Sequence, residues 1–158
     1  MSKIEWTDIT YNPIVGCSRV PRSPGCQNCY AATAAKSARL QQFERYQKVA
    51  AWNGTVEFVE SALYNPLKWK KPRKIFTCSM SDLFHENIPD NWRHKIFAVM
   101  TLATQHTFQI LTKRPENMNR YFESDRRPFT SIMLILPKKW ECLLSTLTFC
   151  QQKTFGLE

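Results

Sequence analysis

Three cysteines lie close together near the start of the chain, in the segment GCSRVPRSPGCQNCYA, residues 16–31. Cys17, Cys26 and Cys29 follow a C-x8-C-x2-C pattern. Thiolates bind zinc and iron strongly, and a CxxC turn brings two sulfurs onto one metal. A helix beginning near Tyr30 would direct its positive end at the thiolates and help to keep them ionised. The pattern predicts a metal site with these three cysteines as ligands.

The spacing alone leaves three interpretations of this site open. The first is a zinc site completed by a fourth protein ligand, for which His85, His94 and Cys78 are the candidates. The second is an iron–sulfur centre with one open coordination position. The third is a redox-active CxxC dithiol in which Cys17 takes no part.

Composition limits the class of protein. The chain has 158 residues, which suits one domain, and 43% of them are hydrophobic, enough for a folded core. It has no apolar run of membrane-spanning length, and its first residues, MSKIEWTD, lack the apolar segment of a signal peptide. We therefore expect a cytoplasmic protein that does not enter a membrane. In that compartment thiols stay reduced, so clustered cysteines indicate metal or redox ligands.

The formal charge of +9 is unevenly distributed. Residues 1–78 contain 12 Lys and Arg against 5 Asp and Glu, whereas residues 79–158 contain 10 against 8. A basic first half suits an anionic partner such as a nucleic acid or a nucleotide, although a solvated basic surface has the same composition. Trp69 lies within the basic stretch LKWKKPRK, where its ring could stack on a base or anchor the loop on the core.

Apolar runs alternate with polar loops and amphipathic segments in the second half of the chain. Residues 74–78 and 107–111 read as buried strands, and each is followed by a polar loop and a helix. This order predicts an α/β fold built of parallel βα units. The other predicted elements are an extended segment at 9–15, a helix at 30–50, a helix capped by Asp90, a helix whose first turn contains Pro115 and which buries Met118, Tyr121 and Phe122, and a strand at 131–136.

Ligands of parallel α/β folds gather at the carboxyl ends of the strands. The cysteine segment and the loops at 79–86 and 112–114 should therefore meet on one face. Lys113 and Arg114 could bind a carboxylate or phosphate there, or they could be solvated surface charges. Ser and Asp residues in the first loop could equally serve only to cap turns.

Five phrases of the sequence carry a resemblance to a known family: IEWTDITYNP, GC…PGCQNCYA, LKWKKPRKIF, SMSDLFHENIPD and FAVMTLATQHTFQILTKRPENM. Together they closely resemble a phage and prophage family of three-cysteine-motif proteins, over residues 3 to about 123. That family is itself similar to radical S-adenosylmethionine enzymes. The resemblance implies part of a partial (β/α) barrel.

The resemblance also implies a chemistry. Cys17, Cys26 and Cys29 would hold a [4Fe–4S] cluster whose fourth iron stays free to bind S-adenosylmethionine. One electron from the cluster would cleave this cofactor and generate a 5′-deoxyadenosyl radical, which would modify an anionic or nucleic-acid substrate. An electron donor and a protein partner are implied as well. The residues expected to bind the cofactor are Ser79, Ser81, Asp82, Lys113 and Arg114. A zinc-stabilised, non-catalytic nucleic-acid-binding module is the alternative.

The family phrases stop near Ser124. We therefore expect a partial radical-enzyme-like domain at 1–124 and an atypical tail at 125–158, such as a frameshift or truncation would leave. Cys142 and Cys150 lie in this tail and receive no role. Two clear βα units fall short of a partial barrel, so a chain of this kind could be an inactive fragment.

Overall fold

The computed structural model describes residues 4–124 and one further strand at 148–149. The strands are β1 (Ile9–Tyr11), β2 (Ile14–Val15), β3 (Glu57–Phe58), β4 (Lys74–Thr77), β5 (Thr107–Ile110) and β6 (Thr148–Phe149). The helices are α1 (Pro24–Gln27), α2 (Tyr30–Ala35), α3 (Ala38–Gln41), α4 (Glu44–Val49), α5 (Glu60–Leu63), α6 (Asn65–Lys68), α7 (Asp90–Leu102) and α8 (Pro115–Ser124).

A parallel sheet organises the molecule, with its strands in the order β1-β4-β5-β6. All three of its pairings are parallel. The register sets Ile75 opposite Phe108, and both belong to the buried cluster that also contains Ile96 and Met100 of α7. The mixed α/β fold with parallel βα units is therefore confirmed. Within the part of the chain that is described, the sheet does not close into a barrel.

Helix α7 begins as predicted, but its cap was predicted wrongly. Pro89 is the N-cap residue, and Asp90 is the first residue of the helix. The Asp90 carboxylate forms an ion pair with Arg93, one turn further on. A charge in the first turn favours the helix through its dipole as well. Helix α8 begins at Pro115 as predicted, and its residues Met118 and Tyr121 are buried.

The predicted helix at 30–50 is three short helices, α2, α3 and α4. The chain is extended at Ser37 and at Phe43, which precede α3 and α4. The Gln41 side-chain amide donates to the Ala35 carbonyl at 2.6 Å and to the Tyr46 carbonyl at 3.1 Å. In a continuous helix, backbone N–H groups would donate to these two carbonyls. The Gln41 side chain takes their place, and it therefore stabilises the breaks between the helices.

The extended segment at 9–15 is divided between two sheets. Pro13 lacks an N–H group and fixes its own φ angle, so the chain leaves the parallel sheet there. β2 then pairs antiparallel with β3. Gly16, which follows β2, forms an isolated parallel bridge with Ser81. This path carries the cysteine segment to the carboxyl end of β4.

Several predictions concern the end of the chain. The predicted strand at 131–136, Cys142, Cys150 and nearly all of the tail at 125–158 lie outside the described residues. β6 pairs with β5, so the sheet includes one strand from this part of the sequence. Across residues 4–124, no helix has both the length and the apolar character needed to span a membrane.

Candidate cysteine-lined site

A cavity of about 310 Å³ lies where β4 and β5 end. It collects the three segments that were expected to converge: the cysteine segment, the loop after β4 and the loop after β5. All of the residues predicted for the site line it, namely Cys17, Cys26, Cys29, Ser79, Ser81, Asp82, Lys113 and Arg114. The parallel topology accounts for this convergence, because consecutive parallel strands end at the same edge of a sheet.

The same cavity contains residues that the sequence did not indicate. Arg19, Tyr30, Trp52 and Phe76 contribute to its walls. Tyr30 also donates from its hydroxyl group to the Ser79 carbonyl at 2.6 Å, which ties the start of α2 to the loop after β4. Aromatic side chains carry no spacing signal for a ligand site, so sequence patterns offer no reason to select them.

Of the three residues considered as a fourth zinc ligand, Cys78 is the one that lines the cavity. The sequence predicted it inside a buried strand, but β4 ends at Thr77. Cys78 has a left-handed backbone with φ of 58°. Its side chain is buried and lines the cavity together with the three cysteines of the motif. Its place directly after a parallel strand was the available signal that it could face the site.

The arrangement of the sulfurs bears on which metal would fit. Among residues 4–124, no group of three or more His, Cys, Asp or Glu side chains is arranged to hold a metal ion. A single zinc ion needs four donors converging on one point at about 2.3 Å from sulfur. Thiolates are ligands both of zinc and of iron–sulfur clusters, so the donor type of the four cysteines that line the cavity suits either group, and the choice between them stays a prediction.

Arg114 joins the three converging segments. Its Nε donates to Glu86 at 2.8 Å, and its Nη2 donates to the Ser18 carbonyl and hydroxyl oxygens at 3.1 and 3.0 Å. Its Nη1 lies 3.3 Å from Asp82 Oδ2 and 3.7 Å from Cys17 Sγ. These contacts use all five guanidinium N–H donors. Arg114 therefore holds the site together, and no donor is left over for a substrate.

Asp82 has a similar structural role. It accepts hydrogen bonds from the Phe84 backbone, the Thr112 hydroxyl and the Lys113 backbone at 2.8 to 3.0 Å, in addition to Arg114. A carboxylate offers about four acceptor positions. Both oxygens are thus engaged within the chain, where they lock the loop after β4 to the loop after β5. Binding of a cofactor ammonium group by Asp82 stays a prediction, and it would require one of these bonds to be shared.

The side chains of three other predicted residues, Ser79, Ser81 and Lys113, make fewer hydrogen bonds than those of Arg114 and Asp82. The Ser79 hydroxyl donates to Asn12 at 3.1 Å, and the Ser81 hydroxyl donates to the Gly16 carbonyl at 2.6 Å. Lys113 is exposed, and its ammonium group would lie 2.5 Å from a Cβ atom at Gly25. Glycine at position 25 therefore leaves the room that this ammonium occupies.

His85 belongs to the same network but is not arranged as a metal ligand. The Asn87 backbone N–H donates to His85 Nδ1 at 3.1 Å, so the proton of the neutral ring lies on Nε2. Nε2 then donates to the Ser18 hydroxyl at 2.9 Å. Both ring nitrogens are engaged, and burial followed by the Arg114 charge lowers the pKa of His85.

The charges around Cys17 oppose one another. Burial, the largest influence, raises the pKa of the Cys17 thiol to about 11, whereas the Arg114 guanidinium acts to lower it. Burial also acts to raise the pKa of Glu86, but its backbone hydrogen bond and Arg114 outweigh that influence and lower it overall. Cys17 is therefore a neutral thiol near pH 7 in the metal-free protein, and binding a metal would release its proton.

The fold and the cavity define a mixed α/β protein with cysteines grouped at the carboxyl ends of its parallel strands. Residues 1–146 match the family described as "Protein of unknown function (DUF5131)", and the chain belongs to this family. The match extends past Ser124, where the family phrases were expected to stop. No curated protein matches the chain. No solved structure matches it either.

Proposed function

We propose that the protein is an iron–sulfur protein of the radical S-adenosylmethionine type. The observation that carries the proposal is that Cys17, Cys26 and Cys29 line one cavity together with the polar loops that follow β4 and β5. These cysteines would hold a [4Fe–4S] cluster. When bound, the cluster would supply an electron for reductive cleavage of S-adenosylmethionine, and an external donor would restore that electron.

The surrounding residues have roles that follow from their contacts. Arg114 and Asp82 hold Cys17 and the two strand-end loops in register, as their saturated hydrogen bonds indicate. Ser79 and Ser81 provide hydroxyl oxygens on the cavity wall for the cofactor's amino group. Their present bonds to Asn12 and Gly16 fix where those oxygens lie.

An anionic substrate or cofactor group fits the remaining charge of the cavity. Arg19 and Lys113 line it and are exposed. Within the described part of the chain neither side chain forms an ion pair or hydrogen bond, unlike Arg114. Two exposed cationic side chains on the wall of a cavity, without ion-pair partners, attract a carboxylate or a phosphate. A nucleotide or nucleic acid is therefore the substrate class we propose.

The alternative, a zinc-stabilised nucleic-acid-binding module, has weaker support. Trp69 is half-buried and packs against the main core cluster, with the Arg73 guanidinium 5.8 Å from its ring centre. A ring used in this way is not available to stack on a base. The basic stretch also lies before β4, at the opposite end of that strand from the cavity.

Anaerobic reconstitution with ferrous iron and sulfide tests the cluster. We expect a brown protein that contains acid-labile sulfide, because three reduced thiols surround the cavity. Cys26→Ala should lose most of the bound iron and sulfide, whereas the matched variant Cys142→Ala should keep both. Colourless protein with one tightly bound zinc per chain would instead support the zinc-stabilised module.

A second measurement tests the cofactor. Adding S-adenosylmethionine to the reduced protein should change its electron paramagnetic resonance spectrum, because the cofactor would bind at the cluster. The control is S-adenosylhomocysteine, which lacks the sulfonium charge and should give a smaller change. A spectrum that neither compound alters would contradict this part of the proposal.

A further inference from the structure

Cys78 is a fourth thiol on the wall of the cavity. It lies between β4 and the polar loop that follows, and its side chain is 2% exposed. It is a free cysteine, as are Cys17, Cys26 and Cys29. Four thiols from two segments far apart in the sequence therefore border one space of about 310 Å³.

The backbone at Cys78 holds the residue in an unfavourable conformation. A left-handed φ of 58° costs about 1 kcal/mol or more for a side chain other than glycine. It is maintained because the Cys78 N–H donates to the Tyr11 carbonyl at 2.8 Å and the Ser81 N–H donates to the Cys78 carbonyl at 3.0 Å. These two bonds fix the turn at which the chain leaves the sheet. Cys78 is thereby held at the wall of the cavity.

Burial and neighbouring charges oppose ionisation of the Cys78 thiol, whereas one backbone hydrogen bond favours it. The pKa of its thiol is raised, chiefly by burial and then by Asp82, while a hydrogen bond from the Ile14 backbone acts to lower it. Cys17 also contributes to the rise, which makes the two thiols electrostatic neighbours. Backbone N–H groups that donate to sulfur are a common feature of iron–sulfur ligation.

We propose that Cys78 is the fourth sulfur ligand of the cluster when S-adenosylmethionine is absent, an inference that rests on the proposed function. The Cys78 S–H proton would pass to solvent as a sulfur–iron bond forms, with no transfer of electrons. The iron coordination position that the C-x8-C-x2-C segment leaves open would then be occupied by Cys78, the residue that follows β4. The cofactor would gain that position by replacing Cys78, which would take up a proton again as a buried neutral thiol.

Oxidative loss of iron from the reconstituted full chain tests this ligand without relying on activity. An iron that has no protein ligand is the one lost first when such a cluster is oxidised with ferricyanide. With Cys78 bound, the wild-type chain should keep nearly all of its iron. Cys78→Ala should lose about one iron in four and develop the paramagnetic signal of a [3Fe–4S] cluster.

Comparison of the wild-type protein with the variant can overturn the proposal. If the wild type loses iron as readily as Cys78→Ala, or if the variant resists oxidation as the wild type does, Cys78 is not a ligand. Cys78→Ser, which preserves the side-chain volume, covers the case in which the alanine variant does not fold, and circular dichroism checks both. Failure of the proposed function has a different outcome: Cys26→Ala would then bind as much iron as the wild type.

Discussion

His85 is a buried side chain whose protonation the fold opposes. Its Nδ1 accepts the Asn87 backbone N–H, so a proton on Nδ1 would face another donor. The pKa of His85 is lowered from the ordinary value of 6.5 by burial, with Arg114 as the next cause. Between the lowered value and 6.5 the unfolded chain binds more protons than the folded one, so stability increases with pH in that range.

We therefore predict that this part of the stability is complete above pH 6.5 and is lost as the pH falls below it. Thermal unfolding measured from pH 8 to pH 5 should show a decrease in Tm that His85→Gln makes shallower. His94→Gln retains His85 and should keep the wild-type profile. An unchanged slope in His85→Gln would mean that other groups cause the acid sensitivity. The Glu86 carboxylate would affect stability at a lower pH than His85, because a lowered pKa changes the stability only below the ordinary value of 4.5.

Gly16 is required where the cysteine segment begins. Its φ is +92°, and a Cβ atom there would lie 2.2 Å from the Thr55 carbonyl oxygen and 2.7 Å from a methyl group of Val49. A side chain at this position would have to displace both the Thr55 backbone and the buried Val49 side chain. Gly16→Ala should therefore lower the free energy of unfolding by about 3 kcal/mol.

Gly25 provides the matched control for this prediction. A Cβ atom at Gly25 meets only the end of the flexible, exposed Lys113 side chain, at 2.5 Å. Gly25→Ala should change the free energy of unfolding by less than about 0.5 kcal/mol. Urea denaturation of both variants makes the comparison. Equal losses would show that close approach at Gly16 is not what limits substitution there.

At the level of elements, Gln41 determines how the segment 30–50 folds. Its side chain bonds the Ala35 and Tyr46 carbonyls, which belong to two different helices. Gln41→Ala should lower the free energy of unfolding by about 1 to 2 kcal/mol, because two backbone acceptors lose their partner. Gln42→Ala, at the exposed neighbouring position, should have little effect. Chemical denaturation with circular dichroism checks both variants.

The same segment indicates what the sequence could not reveal. Helix propensities are summed over neighbouring residues, and residues 30–50 contain neither Gly nor Pro, so propensity predicts one helix. The breaks depend on tertiary packing that propensity does not include. By contrast, β4, α7 and β5 were predicted well, since short apolar runs and an amphipathic repeat reflect burial directly. The cap of α7 was predicted one residue too late, since Pro89 occupies the N-cap position without a side-chain hydrogen bond that its residue type could have signalled.

The junction between the strand-end loops depends on Arg114. Arg114→Met should remove about 3 kcal/mol from the free energy of unfolding, because Asp82 would keep a buried charge without its cationic partner. Lys113→Met changes an exposed neighbour and should be close to neutral. Urea denaturation of the two variants tests the difference. If Arg114→Met were as stable as Lys113→Met, Arg114 would not be the residue that holds the junction together.

At the scale of the whole molecule, the meeting of the three segments was easier to predict than the hydrogen bonds that their residues make. Cysteine spacing and parallel strand order were sufficient to bring three segments to one cavity. Arg114 was selected as an anion-binding residue, yet its five donors are used inside the chain. The type of a residue identifies the chemistry it could perform, whereas its availability depends on neighbours up to 97 positions away.

That distance along the chain also has a consequence for synthesis. Ser18 and Arg114, whose bond secures the cysteine segment, are separated by 96 positions. At ribosomal rates the second residue follows the first by about 5 to 20 seconds. The thiols of Cys17, Cys26 and Cys29 are thus the first part of the site to be made and the last to be enclosed. Pulse alkylation of nascent chains should find them reactive throughout that interval, during which a newborn chain depends on a reducing environment to keep its sulfurs intact.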